Sequence, residues 1–400
     1  MGASVHRLTR LDLTVNIRFP GTRANGIQVA AMAEALAATG LNVDVVVPRR
    51  WPWKGVDPYE HYGVARTFGV QRLASLDTID MLPARAQRVP FLVQSVTFGL
   101  RALARAAVTR DAGILLRDHY TLQVLTNGLR RADLARVSAE VHDLPAPGVR
   151  RQRVAAALAL LPAVVTINHA LKHDLVSEGL DPGRVLVAPD GVSLARFASL
   201  PSRGDARAAA GLPLDTPRLV YAGQLYRWKG VDTLVAAMAH VPRAELLVVG
   251  GQGDDLERVR ALAERLAPGR VRFTGNVPPP AVPALLATAD VIALPNSAGR
   301  EISARYTSPL KLFEAMASGR ALVASDLSSL REVLRDGENA LLVPPDDAQA
   351  LGAALSRLLQ DQALAERLAV RARDDVSGRD WRARARQVAE FLREHLEVAA

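Results

Sequence analysis

A loop with two cations lies between a predicted strand and a predicted helix in the second half of the chain. The strand covers residues 218–223 and the helix covers residues 231–240. Arg227 and Lys229 lie between them, just before the helix begins. The free N–H groups and the positive dipole end of a helix favour an anion, and nearby cations strengthen that preference. The loop therefore predicts a diphosphate site, with a solvated basic loop as the alternative.

A second helix start carries a carboxylate. Ser308 and Pro309 suit the N-cap and the first turn of a helix, and Gly319 suits its end. Glu314 lies about one turn further along this helix. The helix end can hold a phosphate, and the carboxylate can accept hydrogen bonds from a pair of sugar hydroxyls. The alternative is an ordinary surface helix with a solvated Glu314.

Two positions in the first half lie where strands are expected to end. Gly26 closes the loop between a predicted strand over residues 11–17 and a predicted helix over residues 27–39. His142 lies near the end of a strand that begins at residue 138. In open α/β sheets the carboxyl ends of the strands line the ligand crevice. Both residues are therefore candidates for a binding site, against a plain connecting loop and a structural histidine as the alternatives.

The elements that would position these residues form two successive α/β units. Each half alternates short apolar strands with helical patterns, and a stretch rich in Pro, Gly, Ala and Asp over residues 198–216 separates them. We predict an N-terminal domain over residues 1–200 and a C-terminal domain over residues 201–378. A final amphipathic helix over residues 379–400 is expected to pack back on the first domain. A cleft between the domains is the expected ligand site.

Composition excludes several classes of protein. The chain has no cysteine, which excludes disulfides, thiolate metal sites and cysteine nucleophiles. It has no uninterrupted apolar run of transmembrane length, and its basic first residues are not followed by the apolar segment of a signal peptide. We therefore expect a cytoplasmic protein.

The net charge of +9 lies almost entirely in the first half of the chain. Residues 1–200 contain 24 basic and 16 acidic side chains, whereas residues 201–400 contain 26 and 25. This imbalance favours an anionic partner, such as a phosphate-bearing substrate or the anionic inner face of a membrane, against a scattered and solvated surface charge as the alternative. Nucleic acid is not expected, because basic runs interleaved with aromatic residues are missing.

The second half resembles the nucleotide-sugar-binding domain of retaining glycosyltransferase family 4, whose members have the GT-B architecture of two Rossmann-like domains facing a central cleft. The order and spacing of the matching motifs over about 150 residues make this resemblance specific. They are YAGQLYRWKGVD at 221–232, residues 247–253, 272–277 and 289–291, SPLKLFEAMASGR at 308–320, and residues 330–333 and 336–343. The first half matches more loosely, at residues 22–28, 142, 189–192 and 196–197.

The resemblance implies roles for individual residues of the second half. Lys229, with Arg227 nearby, would neutralise the donor diphosphate as it leaves. Glu314 would bind the ribose hydroxyls. Further donor contacts would come from the backbone of one turn and from a loop beside the nucleobase; these residues are Ser308, Pro309 and Leu310, and Gly275, Asn276 and Val277.

Two residues of the first half receive roles in the same way. Gly26 would approach the donor phosphates from the other domain, and His142 would line the reacting face close to the transferred sugar. No metal and no cofactor is implied, and no Asp-x-Asp motif is placed to hold a divalent ion. The implied donor is a UDP- or GDP-linked sugar, and the implied acceptor is a sugar, a lipid-linked acceptor or another small molecule.

The sequence departs from the family pattern at two positions. Tyr306 stands where the family has the first of two glutamates spaced eight residues apart, so backbone groups near Ser308 or the carboxylate of Glu301 would have to bind the sugar instead. Gln224 stands where the family commonly has an arginine, and Arg227 is the candidate to supply that charge.

The resemblance implies a hexosyltransferase that retains anomeric configuration and acts in glycan, polysaccharide or glycolipid synthesis. A metal-independent, front-face, ion-pair-like transfer is our hypothesis for its mechanism. One alternative is another enzyme on the same architecture, such as a nucleotide-sugar epimerase, a hydrolase or a phosphorylase. A second is a non-catalytic nucleotide-sugar-binding subunit or sensor. A dinucleotide-dependent dehydrogenase is less favoured, because the glycine fingerprint after the first strand is missing.

Overall fold

The computed structural model describes residues 8–49, 55–81, 86–306 and 310–398. The chain forms two compact units, one of residues 1–189 and 381–400 and the other of residues 190–380. Each unit contains a parallel sheet with helices packed against it. The predicted α/β class is therefore confirmed.

Within the described residues, seven strands build the sheet of the first unit in the order β3-β2-β1-β4-β5-β6-β7, and every neighbouring pair is parallel. The strand order reverses between β1 and β4, where a crevice is expected at the carboxyl ends. The strands are β1 Arg10–Thr14, β2 Asn42–Arg49, β3 Gly69–Ala74, β4 Gly113–Leu116, β5 Val137–Val141, β6 Ala163–Thr166 and β7 Val185–Val187.

Two helices of the first unit begin at a polar capping residue shortly after the preceding strand. Asp118 accepts a hydrogen bond from the N–H of Thr121, and Asn168 accepts one from Leu171, so each side chain caps the helix that follows it. The helices are α1 Ala24–Ala37, α2 Pro58–Tyr62, α3 Arg88–Val108, α4 His119–Gly128, α5 Val149–Ala159 and α6 His169–Ser177.

The second unit has a six-stranded parallel sheet, counted over the described part of the chain, in the order β10-β9-β8-β11-β12-β13. Its strands are β8 Arg218–Ala222, β9 Glu245–Val249, β10 Val271–Gly275, β11 Val291–Leu294, β12 Ala321–Ser325 and β13 Leu341–Val343. Its helices, with the C-terminal helix of the first unit completing the series, are α7 Arg203–Ala209, α8 Val231–Ala237, α9 Gly253–Leu266, α10 Val282–Leu286, α11 Glu301–Ala304, α12 Leu310–Ala317, α13 Ser328–Arg331, α14 Ala348–Gln360, α15 Gln362–Val376 and α16 Trp381–His395.

Alternate residues of the second sheet pack into two separate cores. Leu219 and Tyr221 of β8 belong to one core, and Val220 and Ala222 belong to the other. Side chains of a strand point alternately to opposite faces, so a sheet covered by helices on both faces buries every residue of its central strands. This explains why these strands appear in the sequence as continuous apolar runs.

The boundary between the units lies at residues 189 and 190, whereas the sequence placed it at 200 and 201. The N–H of Val192 donates to the carbonyl of Arg379, and Val192 and Phe197 are buried in a core of the second unit. The return to the first unit occurs after Asp380 instead of residue 378, and α16 belongs to that unit. The guanidinium of Arg384 in α16 donates to the carbonyls of Ala188 and Pro189.

Candidate functional site

Three glycines at neighbouring strand ends leave room at the carboxyl edge of the second sheet. Gly223, Gly250 and Gly275 follow or end β8, β9 and β10, and all three have positive φ. A Cβ on Gly250 would lie 2.5 Å from the carbonyl oxygen of Gly223, so only glycine fits that close approach. This edge adjoins the reversal of strand order between β8 and β11, where ligands bind in open α/β sheets.

Lys229 lies at this edge, in a short 3-10 helix over Arg227–Lys229 that leads into α8. Its ammonium lies 3.8 Å from the centroid of the Trp228 ring. Burial lowers the pKa of Lys229 to about 8. The next residue, Gly230, has a φ of +71°, and a Cβ there would lie 1.7 Å from the carbonyl oxygen of Pro295. The backbone therefore fixes the position of Lys229 tightly against the loop after β11.

Arg227 occupies a different environment from Lys229. Its side chain is 78% exposed, and its guanidinium lies 3.9 Å from the carboxylate of Asp232, which also contacts Arg258. The backbone carbonyl of Gln224, at the start of the same loop, accepts a hydrogen bond of 2.7 Å from the hydroxyl of Tyr221. The diphosphate role predicted for Arg227 stays a prediction, and it would require the side chain to leave Asp232.

Helix α12 brings a second lysine to the same edge. The ammonium of Lys311 lies 4.8 Å from the centroid of the Tyr221 ring. Its Nζ is buried and has no hydrogen-bond partner among the residues that the structure describes. Burial lowers the pKa of Lys311 well below its usual value, and the charge of Lys229 lowers it further. The two ammonium groups are therefore close enough to repel each other.

Glu314 lies on the same face of α12 as Lys311, because residues three apart are neighbours on a helix surface. Burial raises the pKa of its carboxyl to about 7, against a smaller opposing effect of Arg196. A carboxyl group held in this way can accept or donate hydrogen bonds to a hydroxyl pair near neutral pH. The ribose role of Glu314 stays a prediction.

The turn before α12 falls partly outside the described residues. Ser308 and Pro309, predicted as the N-cap and the first turn, belong to the stretch 307–309 that is not described. Leu310 is the first described residue of α12. The predicted donor contacts of these three residues therefore stay predictions.

Tyr306, at the position where a glutamate was expected, is directly linked to Glu301. Its side chain is buried, and its hydroxyl lies 3.2 Å from Oε1 of Glu301. Arg305 also donates to this carboxylate at 3.0 Å. The hydroxyl of Tyr306 thus holds the carboxylate of Glu301 beside the position where the family has its first glutamate. This contact suits the prediction that Glu301 replaces the missing glutamate.

The loop after β10 contains the residues predicted to flank a nucleobase. The side-chain amide of Asn276 donates to the side chain of Gln252, which precedes α9. The carbonyl of Gly275 accepts the N–H of Gly250, and Val277 packs against a core of the second unit. These contacts hold the loop against the end of β9.

The first unit has its own cluster of charged residues at strand ends, centred on Glu140. Nε2 of His142 lies 2.6 Å from Oε1 of Glu140 and 2.6 Å from Nη2 of Arg117. Arg384 of α16 approaches the other oxygen of Glu140 at 3.2 Å. Burial alone would raise the pKa of Glu140, but Arg384, Arg117 and His142 hold it well below its usual value. The carboxylate therefore stays charged and fixes the orientation of the His142 ring.

Gly26 is required by close packing within the first unit. A Cβ at this position in α1 would lie 2.2 Å from the hydroxyl of Tyr62. That hydroxyl donates to the carbonyl of Gly21 and accepts the N–H of the same residue. The approach of Gly26 to the donor phosphates stays a prediction.

A cavity of about 340 Å³ lies in the first unit between α4 and α5. Arg150 and Arg153 from the first turns of α5 line it, together with His119, Tyr120 and Gln123. The guanidinium of Arg150 lies 5.8 Å from the centroid of the Tyr120 ring. His119 also approaches the carboxylate of Asp143, one residue after His142. The cavity can therefore accept an anionic group next to the His142 cluster.

Within the described parts of the chain, no group of three or more His, Asp and Glu side chains is placed to hold a metal ion. The structure adds residues that the sequence did not single out for chemistry: Lys311, Glu140, Arg117 and Arg384. Lys311 had one sequence signal, since it is one of only four lysines among 50 basic residues. The other three are linked by contacts between distant parts of the chain.

Residues 216–361 match the family model described as glycosyl transferases group 1. A phosphatidyl-myo-inositol mannosyltransferase of Mycolicibacterium smegmatis is 36% identical over 198 residues, and the match spans about half of each chain, 48% of this one and 47% of the relative. A D-inositol 3-phosphate glycosyltransferase of Kineococcus radiotolerans is 28% identical over the whole chain and 97% of its own length.

Solved structures with the same fold cover both units. A sucrose-phosphate synthase from Thermosynechococcus elongatus has a TM-score of 0.78 and 25% identity, and the match covers 96% of this chain and 98% of the other. HepE of Anabaena, solved in complex with UDP-glucose, has a TM-score of 0.72 at 19% identity, with 96% and 99% covered. The predicted GT-B fold class is thereby confirmed.

Proposed function

We propose that this chain, of which residues 216–361 match the family model of glycosyl transferases group 1, transfers a hexose from a UDP- or GDP-linked sugar to an acceptor. The observation that carries this proposal is the ammonium of Lys229, which the short helix before α8 holds at the edge of the second sheet where the strand order reverses. Negative charge builds on the diphosphate as it leaves, and cations fixed in a buried site stabilise that charge.

The transfer proceeds without a metal ion and with retention of anomeric configuration. Lys229 supplies positive charge for the leaving group, and Glu314 receives the ribose hydroxyls. His142, oriented by Glu140, lines the reacting face. None of the residues to which we give a role in the transfer is a carboxylate placed to act as the nucleophile. The acceptor therefore attacks the sugar from the same face that the diphosphate leaves.

The acceptor carries an anionic group. The names of both relatives mention a phosphorylated inositol, phosphatidyl-myo-inositol in one and D-inositol 3-phosphate in the other. The cavity of the first unit supports the same chemistry, because Arg150 and Arg153 line it beside Tyr120. Arginine binds phosphate through paired N–H groups, so this cavity suits a phosphate or a phosphodiester of the acceptor.

The chain works in the cytoplasm and binds the membrane surface peripherally, in glycolipid or polysaccharide synthesis. Helix α3 is long and apolar enough to span a membrane by length and composition, but it packs one face on the fold, where Phe98 is buried. Its other face exposes apolar residues at helical spacing: Val89, Val93, Val96 and Leu100. Such an apolar face suits the surface of a bilayer, and the excess of basic side chains in residues 1–200 favours an anionic one.

A donor panel followed by product analysis tests the proposal. UDP and GDP conjugates of glucose, mannose, galactose and N-acetylglucosamine are compared by thermal shift, since a bound ligand stabilises the folded state by mass action. The stabilising donor is then incubated with inositol 3-phosphate or phosphatidylinositol, and the anomeric configuration of the product is determined by NMR. Retention without added metal is expected.

Four results would count against this proposal in different ways. An inverted product would overturn the front-face mechanism, and dependence on a divalent ion would overturn the role given to Lys229. Quantitative conversion of the donor without an acceptor would favour an epimerase or a hydrolase. A chain that binds donors but transfers to no acceptor would favour a nucleotide-sugar-binding subunit.

A further inference from the structure

The ammonium of Lys311 is a buried cation without a counter-ion in the described residues. Its Nζ has no hydrogen-bond partner there and lies 4.8 Å from the centroid of the Tyr221 ring. Burying an unpaired charge costs free energy, and proteins rarely keep such a group without a reason. A second ammonium, that of Lys229, lies close enough to disfavour its charged form further. Two cations facing one another favour binding of an anion between them.

The side chain of Lys311 lies beside Gly223, at the start of the loop whose other end carries Lys229. Its Cδ lies 3.7 Å from the place where a Cβ on Gly223 would stand. The hydroxyl of Tyr221, whose ring lies under the Lys311 ammonium, donates to the carbonyl of Gln224. The side chain of Gln224 is neutral, so the start of this loop receives its positive charge from α12.

We propose that Lys311 binds the donor diphosphate together with Lys229, and that it supplies from α12 the cation that position 224 lacks. The proposal rests on the proposed function, because it assigns a further ligand to the same donor. Lys311 is three residues before Glu314, so one face of α12 would meet the diphosphate and then the ribose. A diphosphate carries at least two negative charges, which two ammonium groups neutralise.

Substitution of Lys311 by methionine separates this role from a structural one. Lys311→Met keeps the length of the side chain and removes its charge. We expect the variant without ligand to melt at a higher temperature than the native chain, because an unpaired buried charge is lost. We expect its affinity for UDP or GDP, measured by calorimetry, to fall about tenfold or more, since charge-assisted hydrogen bonds are strong. Its affinity for uridine or guanosine should change less than about threefold.

Two further variants make the test specific. Lys311→Met combined with Gln224→Arg should regain most of the lost affinity for the nucleoside diphosphate, because a guanidinium returns a positive charge to the start of the same loop. Lys172→Met is the matched control, since the Lys172 ammonium donates to the carbonyl of Val185 in the first unit. It should leave the affinity unchanged.

The outcomes distinguish this inference from the proposed function. If the native chain binds UDP or GDP and Lys311→Met binds it equally well, the role of Lys311 is overturned and the donor site stands. Equal losses for the nucleoside and the nucleoside diphosphate, with a lower melting temperature, would also overturn it, because they indicate a structural role. If the native chain binds neither UDP nor GDP, the proposed function fails and this inference fails with it.

Discussion

Nε2 of His142 lies 2.6 Å from Oε1 of Glu140, a carboxylate whose side chain is only 1% exposed. The two residues should therefore respond differently to substitution. Glu140→Gln leaves Arg117 and Arg384 buried without their anion, and breaking such a cluster costs about 3–5 kcal/mol of unfolding free energy. His142→Ala should cost less than about 1 kcal/mol, since its side chain is partly exposed. Urea denaturation of both variants measures the difference.

The same pair of variants should differ in catalysis. His142→Ala is expected to lower kcat about a hundredfold with little loss of fold stability, because we propose that the ring lines the reacting face. A His142→Ala variant with normal kcat would remove His142 from the site. A Glu140→Gln variant as stable as the native chain would mean that the arginines find another anion.

Lys229 and Arg227 are two residues apart and should contribute unequally to transfer. Lys229→Ala removes a partly buried ammonium that we propose binds the donor diphosphate, and we expect kcat/KM to fall about a hundredfold to a thousandfold. Arg227 is exposed and paired with Asp232. Arg227→Ala should therefore lower kcat/KM less than about tenfold. Steady-state kinetics with the preferred donor compares them, and equal losses would show that Arg227 turns into the site when the donor binds.

The sequence predicted most strands and the position of Lys229, because both follow from local patterns. Buried parallel strands leave apolar runs, and the loop before a helix is visible from Gly223 and Gly230. Strand β3 was missed within the irregular stretch 50–90. No residue of Gly69–Ala74 is fully buried, so this edge strand lacks a clear apolar period.

Contacts between distant residues could not be predicted in this way. Glu140 and Arg384 belong to elements far apart in sequence, and their ion pair exists only because α16 packs on the first unit. The choice between Arg227 and Lys311 as the second cation also depends on burial. A sequence shows that a cation is present, whereas only the fold shows whether it faces solvent.

Gly230 should be essential for the conformation of the Lys229 loop. An alanine there would place its Cβ 1.7 Å from the carbonyl oxygen of Pro295, at a φ of +71°. We expect Gly230→Ala to destabilise the fold by about 3 kcal/mol or more, because backbone must move, and to weaken donor binding. Gly253→Ala is the matched control: its φ is also positive, but no atom lies within 4 Å of the new Cβ. It should cost only about 1–2 kcal/mol.

Thermal unfolding and donor titration of the two glycine variants provide the comparison. Equal destabilisation of the two variants would mean that the positive φ alone determines the loss of unfolding free energy. The backbone at Pro295 would then move away from the new Cβ at little cost. Weaker donor binding by Gly253→Ala than by Gly230→Ala would contradict the position assigned to Lys229.

The exposed apolar face of α3 should determine binding to anionic vesicles. Val96 and Leu100 are 46% and 54% exposed, and a glutamate at either position adds a negative charge to the apolar face. We expect Val96→Glu and Leu100→Glu each to weaken binding to phosphatidylglycerol-containing vesicles about tenfold at low salt. Val370→Glu, at an exposed valine of the second unit, is the control and should bind like the native chain.

Vesicle flotation at low and high salt measures this binding, which salt should weaken. A native chain that stays in solution with anionic vesicles at low salt would refute the membrane contact. Equal losses for Val370→Glu and Leu100→Glu would show that net charge, and not the face of α3, controls it.

Glu314 should make fold stability depend on pH near neutrality. Burial raises the pKa of its carboxyl to about 7 from an ordinary value of 4.5, so the folded chain holds a proton that the unfolded chain has released. Its contribution to stability is therefore complete below pH 4.5 and is lost as the pH rises through about 7. Glu314→Gln is neutral at every pH. At pH 8 it should be more stable than the native chain by about 1–3 kcal/mol, and near pH 5 the difference should largely vanish.

Urea denaturation at both pH values measures this difference in stability, with Glu257→Gln, at an exposed side chain, as the control. A Glu314→Gln variant that is less stable at pH 8 would mean that the carboxylate has an anchoring partner in the folded chain.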